Sequence, residues 1–173
     1  MLKHPCLALL LMSILCASAA CSRSEDAGHA ADGDSALQSA KGSDASLPKV
    51  RAGARALAEP QPSVDYVAAE MKGVIKARTK SQALMHYDGY RVTLTTPGDR
   101  VTQITFQLVE AKPTVKQLTG IFGTPQEVRK GMLYEYRAAA TGATILILAE
   151  PVSMPADEGS LVRRIVLEGA RTR

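Results

Sequence analysis

The side chains of this chain that could carry chemistry are few and far apart. Its three histidines are His4, His29 and His86. His86 stands beside Tyr87 and Asp88, but acid–base catalysis needs a second group within hydrogen-bond reach of the reacting atom, and no motif supplies one. There is no Cys/His spacing or HExxH pattern for zinc. There is also no Gly-x-Ser-x-Gly elbow and no glycine-rich phosphate loop. Glycoside hydrolysis needs two carboxylates flanking one bond, whereas Glu127, Glu135, Glu150, Asp157 and Glu158 are scattered through separate segments. The expectation is a protein that is not an enzyme and holds neither metal nor cofactor.

One reactive group stands apart, the thiol of Cys21. The chain opens with Lys3 and His4, and an uncharged apolar run follows from Cys6 to Ala17. Small residues lead to Cys21, and everything after it turns polar. That layout is a secretory leader, and the run falls short of the roughly 20 apolar residues a membrane span needs. Cys6 and Cys16 lie inside the leader, which leaves Cys21 with no partner for a disulfide once the leader is cut. A lone cysteine in an exported chain asks for another use.

The seam Ser18-Ala19-Ala20-Cys21 resembles a bacterial lipobox, departing from it at Ser18, where leucine is usual. The resemblance implies cleavage before Cys21 and acylation of its thiol. Each buried acyl methylene contributes about 0.8 kcal/mol, so several chains anchor a protein firmly. In such lipoproteins an aspartate after the cysteine tends to retain the chain on the inner membrane. Ser22 here favours the outer membrane, with the protein facing the periplasm.

Residues 1–20 are therefore expected to be a signal peptide, and 21–62 an acylated cysteine with a flexible tether. From Ser22 to Pro62 there is no aromatic residue, and Ala, Gly, Ser, Asp and Pro dominate, too little apolar surface to offset ordering entropy. Within that stretch "LPKVRAGARALAE" has some helical character, weakened by Gly53. Residues 63–173 read as one α+β domain.

The elements of that domain follow from periodicity and punctuation. Ser63 caps a helix with apolar residues at 64, 67, 68, 71, 74 and 75, and Lys72, Lys76, Arg78 and Lys80 crowd its far end, where cations suit the helix dipole. Asp88-Gly89 sits between two alternating runs, a two-residue hairpin signal. Pro97-Gly98-Asp99 makes the next turn, and Ile104, Phe106 and Leu108 share a strand face. Pro113 then opens a second helix, which Gly123 and Pro125 terminate. The strands "VRKGMLYEY", "ATILILA" and "LVRRIVLE" complete the chain. The pattern is helix plus three strands, repeated: an antiparallel sheet with two short helices packed on one face.

The run Leu118-Thr119-Gly120-Ile121-Phe122-Gly123-Thr124-Pro125, followed by Tyr134-Glu135-Tyr136, resembles the SmpA/OmlA family of small outer-membrane lipoproteins and the related β-lactamase-inhibitor-like fold. Those families repeat a short helix ending in Leu-Gly-x-Pro before an antiparallel sheet. The likeness is confined to the second half of the domain. It departs at Ala111-Lys112-Pro113-Thr114, where the family has Gly-Met/Leu-Ser/Thr. The resemblance implies a protein-binding module without catalytic residues, serving outer-membrane assembly or integrity. A lipoprotein that neutralises an incoming periplasmic hydrolase fits the same layout.

Tyrosine and arginine are favoured interface anchors, so the candidate contacts are Tyr87, Tyr90, Tyr134, Tyr136, Arg163 and Arg164; the competing reading has the tyrosines line the sheet core with their hydroxyls at the rim. Strand alternation would set the two arginines on opposite faces. The chain has 21 Lys and Arg against 17 Asp and Glu, with no basic block interleaved with aromatics, which argues against nucleic acid. The expected partners are an envelope protein or an incoming hydrolase, with the membrane engaged through the acyl chains.

Overall fold

A computed structural model describes residues 45–129, 132–140 and 143–169. Cys21, the expected leader and the expected tether up to residue 44 lie outside the described residues. The folded unit begins earlier than the composition suggests. Residues Leu47–Ala58, expected within the tether, form helix α1. Pro48 stands in its first turn, where a missing N–H costs nothing. Leu47, Val50, Ala54 and Leu57 are spaced to share one buried stripe. Gly53 costs a helix interior about 1 kcal/mol relative to alanine. Here a Cβ would stand 3.1 Å from Leu167 Cδ1 and 3.3 Å from Ile104 Cδ1, so the glycine lets α1 seat closely on the sheet.

Helix α2 spans Val64–Glu70 and starts as expected, the Ser63 side chain accepting from the Tyr66 N–H at 3.2 Å. It stops sooner than its pattern predicts. Lys72 adopts φ 48°, and the N–H groups of Lys72 and Gly73 close back on the carbonyls of Ala69 and Ala68 at 2.9 and 2.8 Å, a Schellman ending. The chain then forms β1, Ile75–Arg78. Lys76, Arg78 and Lys80 therefore lie along or just past an edge strand, not on a helix end. Charges there discourage pairing with foreign strands.

Strands β2 (Gln82–Tyr87), β3 (Tyr90–Thr95) and β4 (Gln103–Leu108) follow. Helix α3, Val115–Phe122, has a full capping box between Thr114 and Gln117. The segment read as one strand, "VRKGMLYEY", is two: β5 (Glu127–Arg129) and the start of β6 (Leu133–Ala140). β7 (Ala143–Pro151) and β8 (Val162–Glu168) end the fold.

All eight strands join one antiparallel sheet in the order β1-β2-β3-β4-β8-β7-β6-β5. Two four-stranded meanders thus meet where their last strands pair. The repeat is helix plus four strands, one strand longer per half than expected, with α1 added in front. Both halves close alike. Ser63 bridges Arg100 while the Val101 N–H donates to the Pro62 carbonyl at 2.8 Å; Thr114 bridges Leu161 while the Val162 N–H donates to the Pro113 carbonyl at 2.8 Å. Each helix cap is pinned by the entry to its own half's last strand.

The three helices cover one sheet face, where Met85, Val92, Phe106, Ile165, Ile147 and Tyr136 are fully buried. None of them lies on the other face.

Candidate functional site

The tyrosines expected to form a contact surface mostly belong to the core. Tyr87 and Tyr90 flank the Asp88-Gly89 turn, where Gly89 takes φ 77° but Asp88 does not enter positive φ, so only the second of the two central positions is left-handed. Their rings stack with centroids 4.8 Å apart and planes 6° from parallel. Tyr90 is only 4% exposed and also stacks on Phe106. Burial pushes its phenol far above the ordinary range, with the Tyr87 hydroxyl adding to the effect. Tyr87 is half-buried and donates to the Met71 carbonyl at 3.2 Å. Lys49 donates to that same oxygen at 2.7 Å and sits 5.4 Å from the Tyr87 ring centroid.

Tyr134 is 7% exposed and its hydroxyl donates to the Ala156 carbonyl at 3.1 Å. Tyr136 is fully buried, its hydroxyl reaching the Val115 carbonyl at 3.5 Å and the Thr119 hydroxyl at 3.4 Å. Of the two readings of the tyrosines, the core one holds for Tyr90, Tyr134 and Tyr136, which are therefore withdrawn as candidate contacts. A tyrosine on the inward face of a strand buries its ring and needs only one partner for its hydroxyl, and α3 and the 152–161 loop supply it for the second pair.

The arginines are corrected the other way. The pairing of β7 with β8 shifts register between Glu150 and Pro151, a bulge that breaks strand alternation. Arg163 and Arg164 consequently converge on one carboxylate: Arg163 pairs with Glu150 Oε1, and Arg164 Nη1 lies 3.9 Å from Glu150 Oε2. Both guanidinium side chains stay about half exposed, 50% and 53%.

That carboxylate lies on the sheet face where no helix of the described residues packs, and the strand registers set out its rows. One row runs His86, Arg91, Gln107, Arg164, Glu150. The middle row runs Leu84, Thr93, Thr105, Val166, Leu148, Glu135. The third holds Thr95, Gln103, Glu168, Leu146 and Arg137, with Gln103 Nε2 donating to Glu168 Oε1 at 2.9 Å and Arg137 paired with Glu135 at 3.2 Å. The result is an apolar and hydroxyl band ending in the Glu135 carboxylate, between two polar rows, the first of which holds Arg91 and Arg164. Alternation along each strand carries this face in the sequence; the order of the strands, which assembles the rows, does not appear there.

Among the described residues, no three His, Cys, Asp or Glu side chains gather in a way that would hold a metal ion. No helix among them is long and apolar enough to cross a membrane. Compared with protein-family models, curated proteins and solved structures, the chain matches none.

Proposed function

We propose that this chain is a lipid-anchored, periplasm-facing bacterial lipoprotein that binds another envelope protein, in outer-membrane assembly or integrity, through the helix-free face of its sheet. The observation that carries the reading is that face, on which no helix of the described residues packs. Across six strands a mixed central row of Leu84, Thr93, Thr105, Val166, Leu148 and Glu135, of which Val166 and Glu135 are buried, runs beside a row holding Arg91 and Arg164. An interface centre wants apolar surface inside a polar rim with arginine among its anchors, and Arg91, Arg163 and Arg164 stand in or beside the flanking row. The lipobox-like seam at Cys21 and the SmpA/OmlA resemblance support the address and the absence of catalysis.

The test is affinity capture from envelope and secreted fractions with the chain from residue 21 on, carrying Cys21→Ala, set beside the same chain with Arg91→Glu and Arg164→Glu. A near-stoichiometric envelope partner retained by the first and lost by the second is the expected result. A partner held equally by both moves the contact off this face. A captured hydrolase makes the protein its inhibitor.

A further inference from the structure

Beside α1 there is a second concave surface, on the opposite side of the sheet from the proposed protein contact. Leu47 and Ala54 of α1, Ile121 and Phe122 of α3, and Ala138 of β6 line a groove of about 820 Å³, within the usual range for ligand sites. Its origin is a choice of small side chains. On the inward face of β6 the sequence runs Tyr134, Tyr136, Ala138, so the sheet drops away where the tyrosines end. Ala54 gives the facing helix only a methyl group toward the gap. Phe122 leans on Tyr136 at 6.3 Å between centroids, which leaves it as a wall of the groove.

The rim is chemically one-sided. Arg51 and Arg55, one turn apart on α1, both border the groove and both are exposed. No acidic side chain is among the described residues lining it, and none lies in the first turn of α1. Lys49, the remaining cation of this helix, is committed to the Met71 carbonyl. An apolar trough with two guanidinium groups at its mouth matches a molecule with an apolar tail and an anionic head, since arginine suits phosphate through paired N–H donors.

We infer that this groove takes an acyl chain of an anionic membrane phospholipid, with Arg51 and Arg55 on its phosphate. The inference rests on the membrane-tethered reading, because Cys21 lies only 24 positions (45 − 21) before the first described residue, and α1 is the first element among the described residues. The tether would deliver this helix to the bilayer surface and leave the helix-free sheet face turned away for protein.

The experiment uses the chain from residue 21 on with Cys21→Ala, so that no acyl chain of its own contributes. Flotation is measured with vesicles of phosphatidylglycerol and phosphatidylethanolamine, and with vesicles of phosphatidylcholine alone. In parallel, short-chain phosphatidylglycerol below its micellar concentration is titrated while the methyl signals of Ile121 and Ala138 are followed by NMR. The expected result is binding to the anionic vesicles only, shifts at both methyls, and about thirtyfold weaker vesicle binding for the Arg51→Gln/Arg55→Gln variant, at about 1 kcal/mol per basic residue near an anionic surface. Equal binding by that variant, equal binding to phosphatidylcholine, or unmoved methyls overturns the inference. Acylation of Cys21 is read separately by mass spectrometry of the exported protein, so the groove and the anchor can fail independently.

Discussion

Lys49 and Tyr87 donate to the same oxygen, the carbonyl of Met71, at 2.7 and 3.2 Å. Three elements meet there: α1 through the lysine, the end of α2 through the carbonyl, and β2 through the phenol. Gly73 makes room for it, since a Cβ there would overlap the Tyr87 hydroxyl oxygen and stand 2.6 Å from Met85 Sδ.

Tyr87→Phe keeps the ring stacked on Tyr90 and removes one donor, leaving Lys49 on the carbonyl. The expected loss is about 1 kcal/mol, typical of one net hydrogen bond. Gly73→Ala should cost more, by displacing the hydroxyl. The two together should cost less than their sum, because the phenylalanine relieves the overlap. Urea denaturation of the four proteins checks this; strict additivity would mean the two positions do not touch.

Alkali should unfold the domain through its buried phenols. Burial raises the folded-state pKa of Tyr87, Tyr90 and Tyr136 above the ordinary value of 10.0. A raised pKa gives stability that is fully present below pH 10 and lost as pH climbs beyond it, because the unfolded chain sheds those protons first. Lys49 acts in the opposite sense. Burial, then the Lys72 ammonium, lower its pKa from 10.5, so stability rises with pH between that lowered value and 10.5. Melting followed against pH in Lys49→Met isolates the tyrosines. Phenolate absorbance from these three residues that appears well before the unfolding transition would refute their protection.

The boundary of the folded unit can be tested by truncation. A chain beginning at residue 60 lacks α1, and with it buried Leu47, Val50 and Leu57, each contributing about 1.5–3 kcal/mol. That sum rivals the about 5–15 kcal/mol by which a whole domain is stable. The chain from residue 60 should fail to give a cooperative melt, while the chain from residue 45 should give one. Equal melts would show α1 to be dispensable.

Glu150 holds two arginines, yet both are half exposed, and such pairs are worth about 0–1 kcal/mol. Glu150→Gln should therefore shift the melting midpoint only slightly while leaving Arg163 and Arg164 free to seek an acidic partner. A large drop in stability would make the triad structural.

Cys21→Ala should release the exported protein from the membrane fraction into the soluble periplasmic one. Unchanged fractionation would remove the basis for the anchor.

Legibility in the sequence followed how local the deciding physics was. The α+β class, the Ser63 cap, the Asp88-Gly89 hairpin and the Gly123 ending all rest on a few neighbouring residues, and the structure has them in place; the Thr114 capping box, equally local, went unread behind Pro113. Helix α1 was legible as a short helix but not as part of the domain, because four of its eight buried residues are alanine and its glycine reads as a breaker until Leu167 and Ile104 stand opposite it. Strands β1 and β5 are four and three residues long, too short for alternation to register, and β1 hid within a run of cations that reads as a helix end. The tyrosines' burial and the arginines' convergence depend on strand order and on one bulge, neither of which has a local signature. The rows of the helix-free face are non-local for the same reason.

The meeting of β4 with β8 has a consequence for how the molecule is divided. Each is the terminal strand of its meander, so a chain severed in the 109–112 connection would yield two fragments, each with one newly bared edge whose natural cover is the other, the second also without α1, which packs chiefly on β6, β7 and β8. Mixed together they should reassemble by complementation. Kept apart, each would present its edge to a second copy of itself, and self-paired fragments would imitate the intact sheet's own two-fold plan.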